Sequence, residues 1–154
     1  MSEQQNEPIE DLAYWNRRLQ SVIAQAIPMR FELVSKSRVV MTMQVDSRVH
    51  QPMGVLHGGA SVVLAESAAS TGANLNCPDG MVALGQEINA NHLRPKRDGV
   101  LRAIAEPVHI GRASQVWTID LRDEEDRLVC VSRCTLAVVA APEGMPSFRS
   151  QLPD

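Results

Sequence analysis

His57-Gly-Gly-Ala-Ser-Val-Val-Leu-Ala-Glu66-Ser-Ala-Ala-Ser70-Thr-Gly-Ala-Asn74 decides how this chain folds. It reads as a helix built from Ala, Ser and Gly, the side chains that let a helix lie close against a neighbour. Glu66 is the only formally charged residue between Arg48 and Asp79. Its neighbours three and four positions away are Val62, Val63, Ala69 and Ser70, with no lysine or arginine among them. A carboxylate on such a helix loses water, which disfavours its charged form and tends to raise its pKa. That makes Glu66 a candidate base or nucleophile, against the alternative of a solvated surface glutamate. The helix spans about His57 to Asn76 and stops at Pro78-Asp-Gly80. It is apolar nearly all round, so most of its sides must be covered.

The flanking sequence supplies the cover. Leu12, Trp15, Leu19, Val22, Ile23 and Ala26 recur at helical spacing and predict one amphipathic helix from about Asp11 to Ala26, stopped by Pro28. Phe31–Ser35 and Arg38–Val45 read as strands, the second alternating through Val39, Met41, Met43 and Val45. Residues 46–56 form a loop with Pro52 and Gly54. Four more strands follow the central helix: Val82–Asn91, Val100–Ile110, Ser114–Arg122 and Leu128–Val139. The short links between them imply antiparallel pairing of consecutive strands. An α+β fold follows, a curved antiparallel sheet wrapped around the long central helix.

Length and composition fit one domain. The chain has 154 residues, 44% apolar and 21% charged. We expect a mobile N-terminus over 1–10, one domain over 11–141 and a flexible tail over 142–154, where Pro142, Gly144, Pro146 and Pro153 fall. Aromatics at 3% and a net charge of -3 argue against a nucleic-acid partner. The polar, acidic N-terminus lacks a signal-peptide pattern, and no apolar run approaches the roughly 20 residues that span a bilayer. Cys77, Cys130 and Cys134 have no CxxC spacing and read as reduced core thiols, which points to the cytoplasm.

The start of the central helix is the second candidate site element. A helix N-terminus offers unsatisfied N–H donors and a partial positive charge, and Gly58 and Gly59 leave those donors uncovered. Such an end can hold a carbonyl oxygen or oxyanion, or the glycines serve only a tight entry into the helix. Gln51 and His57 flank this turn, and the helix end disfavours an imidazolium at His57. Ser70 lies one turn beyond Glu66 on the same face, placed to hold a water or to bond its own backbone. His92, Arg94, Lys96 and Arg97 form a basic cluster, with Arg112 at the next hairpin turn; they suit phosphate, or they are solvated charge. Gly58 and Glu66 are eight residues apart, roughly 12 Å along the axis. A catalytic group must come within about 3–3.5 Å of the reacting atom. Glu66 therefore cannot act on a carbonyl held by Gly58 of its own helix, whereas an antiparallel helix from a second copy would supply the match. The spacing predicts a two-fold homodimer with sites shared between chains.

The stretch Gln51-Pro-Met-Gly-Val-Leu-His57-Gly-Gly-Ala-Ser-Val-Val-Leu-Ala-Glu66-Ser, with Glu87-Ile-Asn-Ala-Asn-His92 later, resembles the hotdog-fold acyl-CoA thioesterases. The likeness is strongest to the branch of the 1,4-dihydroxy-2-naphthoyl-CoA, enterobactin-proofreading and Glu-dependent 4-hydroxybenzoyl-CoA enzymes, and covers about residues 28–140. It implies a sheet around a central helix, dimers with shared sites, and commonly tetramers. It implies catalysis by Glu66 as nucleophile or base, Gly58 N–H as carbonyl donor, Gln51 and His57 as orienting groups, and Ser70 as water holder. It points to His92 and Arg94 for the coenzyme A nucleotide; Arg112 is a further candidate there, and the backbone at Gly85 is one for the pantetheine arm.

The expected reaction is hydrolysis of an aromatic or otherwise bulky acyl-CoA, or of an acyl-carrier-protein thioester. No metal-ligand spacing or dinucleotide fingerprint is present, so no cofactor is expected beyond the coenzyme A of the substrate. A dehydratase of the same fold and a non-catalytic acyl-CoA binding module are the alternative readings.

Overall fold

A computed structural model describes residues 11–19 and 22–144. The elements in chain order are α1 (Leu12–Arg18), α2 (Val22–Ala26), β1 (Met29–Val34), β2 (Val39–Val45), α3 (Gly58–Leu75), β3 (Met81–His92), β4 (Gly99–Ile110), β5 (Ser114–Arg122) and β6 (Leu128–Ala140). The six strands form one antiparallel sheet in the order β1-β2-β4-β5-β6-β3. With α3 packed on it, this is the α+β architecture that the sequence predicts. The expected N-terminal mobility and most of the flexible tail fall outside the described residues.

Two local expectations are corrected. The single helix over 11–26 is instead two, α1 and α2, with Leu19 as the C-cap of α1. Packing overrides periodicity here: Trp15 is buried edge-on against Phe31, while Ile23 is half exposed and does not continue the buried stripe. Consecutive pairing also fails at β3, which pairs with β6 at the sheet edge rather than with β4. The segment 93–98 is therefore a crossover past the ends of β5 and β6, not a hairpin turn. Leu93 and Arg94 N–H groups donate to Val129 O as it begins.

The core lies between α3 and the inner face of the sheet. Val39, Met41 and Met43 of β2, Leu101, Ala103 and Ala105 of β4, and Trp117, Ile119 and Leu121 of β5 are fully buried. Each large apolar side chain so buried contributes about 1.5–3 kcal/mol. Small residues bring α3 close: a Cβ at Gly72 would overlap the Trp117 ring. Beside it, buried Gln115 donates to Ala73 O at 2.9 Å and accepts from Trp117 Nε1 at 3.1 Å, so neither polar group is stranded. The helix is not covered all round, however. Val62, Val63, Glu66, Ser67, Ser70 and Asn74 form a half-buried stripe along it.

Asparagines occupy backbone positions at both sheet edges. Asn16 donates to Phe31 O at 3.2 Å and accepts from Phe31 N–H at 2.7 Å on β1. Asn74 donates to Ala83 O and accepts from Ala83 N–H, both at 3.0 Å, on β3. Each amide stands in for a neighbouring strand. Beyond Ala83, β3 is exposed over Leu84–Glu87.

Gly72→Ala tests the close approach of α3. Helix propensity favours alanine by about 1 kcal/mol. Overpacking against a rigid buried ring costs about 1–3 kcal/mol. We expect the clash to win, giving a lower urea midpoint with an unchanged slope; a stabilised variant would show that α3 is free to shift.

Candidate active site

The chain enters α3 through a constrained loop. His50 and Leu56 bridge across it, Gly54 adopts φ +73°, and His57 is the N-cap. His57 Nδ1 accepts the Gly59 N–H at 2.9 Å, which leaves the ring proton on Nε2. Ala60 and Ser61 N–H groups donate to His57 O. The Gly58 N–H has no acceptor among the described residues. Gln51 Oε1 accepts the Met53 N–H at 2.5 Å, so its amide nitrogen is the free end and acts as a donor. The N-terminus of α3 thus presents three donors: Gly58 N–H, Gln51 Nε2 and His57 Nε2–H.

His92 closes this end from the sheet. Its ring packs over Gly58, where a Cβ would stand 2.7 Å from Nε2. Gln51, Leu56, Gly58, Ser61, His92 and Arg94 line a cleft of about 330 Å³. Arg94 is exposed and its Nε donates to Leu128 O at 3.2 Å, leaving the terminal guanidinium nitrogens for other partners.

Glu66 sits further along α3, against the inner face of β3. Its carboxylate lies over Gly85, where a Cβ would overlap Oε1. The register of β3 against β6 shifts between Gly85 and Glu87, a bulge beside the carboxylate. Among the described residues Glu66 makes no hydrogen bond or ion pair. Ser67 and Thr71 spend their hydroxyls on the carbonyls of Val63 and Ser67, one turn back. Ser70, beside Glu66, forms no such bond and keeps its hydroxyl free among the described residues. Cys134 lies near this carboxylate: burial, with Glu66 and Glu87 adding to it, pushes the thiol up to about 12. It stays protonated at neutral pH and is no nucleophile.

The expected site residues therefore fall into separate groups within one protomer. Gln51, His57, Gly58, His92 and Arg94 gather at the N-terminal end of α3, and Glu66, Ser70 and Gly85 gather two turns on. Arg112 joins neither. It lies in the β4–β5 turn, and Gln115 just beyond it contacts Ala73, roughly 22 Å along α3 from Gly58. A single protomer does not unite Arg112 with His92 and Arg94 as one basic cluster. Gly85 has a function that its sequence position does not reveal, leaving room for the Glu66 carboxylate. The packing of His92 on Gly58 was equally hidden, because nothing local links residues 34 positions apart.

Comparison with known proteins identifies the family and the fold. Residues 53–130 match the model of the thioesterase superfamily. A 1,4-dihydroxy-2-naphthoyl-CoA hydrolase of Listeria monocytogenes is 47% identical over 116 residues, covering 75% of this chain and 94% of that protein. The proofreading thioesterase EntH of Cronobacter turicensis is 47% identical over 98 residues, covering 64% of this chain and 72% of its own. The crystal structure of thioesterase HI1161 from Haemophilus influenzae superposes with a TM-score of 0.81 at 42% identity, over 86% of this chain and 93% of that one. The six-stranded antiparallel sheet around α3 is the hotdog fold. The chain belongs to the thioesterase superfamily and is a thioester hydrolase.

Proposed function

We propose that the protein hydrolyses the thioester of an aromatic or otherwise bulky acyl-CoA, with Glu66 as the catalytic carboxylate and no resident cofactor. One observation carries this reading: a carboxylate over a bare glycine, on the same helix as an N-terminal N–H, neither with a partner among the described residues. The acyl class is taken from the substrate named for the Listeria relative, an aromatic acyl-CoA.

In the reaction, the Gly58 N–H donates to the thioester carbonyl and stabilises the negative charge that grows on its oxygen. Gln51 Nε2 and His57 Nε2–H orient the same group. Glu66 either takes a proton from a water held by Ser70 as that water bonds to the carbonyl carbon, or bonds to the carbon itself to give an anhydride that water then opens. In both routes the carbon–sulfur bond breaks, the sulfur of coenzyme A leaves with the electron pair and is protonated, and the acid is released. We assign His92 and Arg94, which line the cleft, to the nucleotide end, and the exposed β3 backbone from Gly85 to the pantetheine arm.

The roughly 12 Å between Gly58 and Glu66 along one helix is the reason this reading calls on a second copy. The half-buried stripe through Val62, Glu66 and Ser70 fits a partner helix running antiparallel. The unblocked edge of β3 beyond Ala83 fits a partner strand, whereas α1 and Asn16 occupy the β1 edge. The two-fold operation would also bring the partner copy's far end of α3, with its β4–β5 turn, toward the N-terminal end of the first.

Glu66→Gln should lower turnover of a benzoyl-CoA-type ester roughly 10²–10⁴-fold in a free-thiol assay, with an unchanged circular dichroism spectrum. Wild-type turnover would remove Glu66 from the chemistry. Gly85→Ala should displace the carboxylate and cost about tenfold or more in kcat without lowering thermal stability. Full activity in that variant would mean that the observed placement of Glu66 is not the working one.

A further inference from the structure

We propose that Lys96 and Glu124 are positioning residues that hold the Gln51–Gly58 entry to α3 in its hydrolytic geometry; this rests on the function proposed above. The crossover 93–98 passes the β5–β6 turn on one side and the 50–56 loop on the other. Toward the loop it makes three hydrogen bonds: Leu56 N–H donates to Lys96 O at 2.7 Å, His50 Nε2–H donates to Arg97 O at 2.6 Å, and Arg97 Nη1 donates to Gly54 O at 3.4 Å. These contacts fall on either side of Gln51 and one residue before the His57 cap.

Leu93 and Arg94 tie the start of the crossover to Val129 O, and the stretch 96–98 beyond them needs its own anchor. Among the described residues the N–H groups of Lys96, Arg97 and Asp98 have no acceptor. The anchor is the Lys96 side chain, only 9% exposed, whose Nζ donates to Glu124 Oε2 at 2.6 Å. Glu124 Oε1 accepts the Val100 N–H at the start of β4. Gly99 makes this approach possible, because its φ of +79° turns the chain and a Cβ there would overlap the Glu124 carboxylate. The neighbouring acids are engaged elsewhere: Asp123 with Arg127 at 2.7 Å and Glu125 with Arg127 at 2.8 Å. Glu124 is the carboxylate in this turn that meets Lys96.

Solvent-exposed ion pairs contribute little. This one differs in geometry: the Lys96 side chain is 9% exposed, and the carboxylate it meets also accepts the Val100 N–H. Desolvation pushes the Glu124 carboxyl up, and the Lys96 and Val100 hydrogen bonds outweigh it, leaving the group below its usual value. The link is therefore complete at neutral pH and is lost only as pH falls through that lowered value. One donor of the Lys96 ammonium is spent on Glu124.

The test compares Lys96→Met, Glu124→Gln and the double variant on benzoyl-CoA and on benzoyl-pantetheine. The expected result is a kcat lowered roughly tenfold on both esters, with KM for benzoyl-CoA within about twofold of wild type. The double variant should fall no further than the single ones. Exchange of the Leu56 amide hydrogen should accelerate in Glu124→Gln, the milder variant, which also serves if Lys96→Met does not fold. Wild-type kcat with unchanged Leu56 exchange would overturn the proposal. A raised KM confined to benzoyl-CoA would overturn it too, assigning Lys96 to the phosphates. Glu66→Gln, run alongside, separates the two levels. If it is inactive while Glu124→Gln matches wild type, the strut alone fails; if it is active, the underlying reading fails.

Discussion

The close approach of α3 to the sheet is the constraint on which the rest of the molecule depends. Three glycines permit it, one at each end of the contact and one midway. Gly58 lies under the His92 ring, Gly85 lies under the Glu66 carboxylate, and Gly72 lies against Trp117. Only the last is purely a matter of packing. At the other two, a missing Cβ is what allows the side chains of His92 and Glu66 to lie against backbone. The dense interior and the surface proposed to be reactive thus share one device, a helix of small residues held at short range.

The same closeness explains the chemistry. At the N-terminus of α3, His57 O accepts from Ala60 and Ser61 while the Gly58 N–H has no acceptor among the described residues. The carboxylate is kept apart from them, with no cation beside it among the described residues to neutralise it. A thioester needs both a donor for its oxygen and an attacking group for its carbon, and one protomer holds these too far apart. The open β3 edge and the half-buried stripe of α3 are the surfaces to which the proposed second copy is assigned.

Much of this was legible in the sequence because it is local. The ends of α3 follow from His57 as a cap, from Gly58-Gly59 and from Pro78, and the helix runs from Gly58 to Leu75 as expected. The strands lie within two residues of their expected limits, since alternation and turn residues are properties of short windows. What was hidden is non-local. The placement of β3 beside β6 depends on which flank of α3 each strand covers, and the length of the 93–98 link does not reveal it. The contact of Trp15 with Phe31, which sets the buried face of α1, joins residues 16 positions apart. The roles of Gly85 and Glu124 depend on side chains 19 and 28 residues away from the groups they serve, Glu66 and Lys96.

Subunit complementation measures the central claim most directly. Glu66→Gln and Gln51→Ala chains, each carrying a different affinity tag, are co-expressed, and the mixed dimer is purified through both tags. If each site takes its carboxylate from one copy and its carbonyl-orienting loop from the other, the mixed dimer has one site with both parts intact. It should then recover about half of wild-type turnover, although each parent homodimer is impaired. A mixed dimer no more active than the mean of its parents would contradict the account, placing both halves of the chemistry within a single chain.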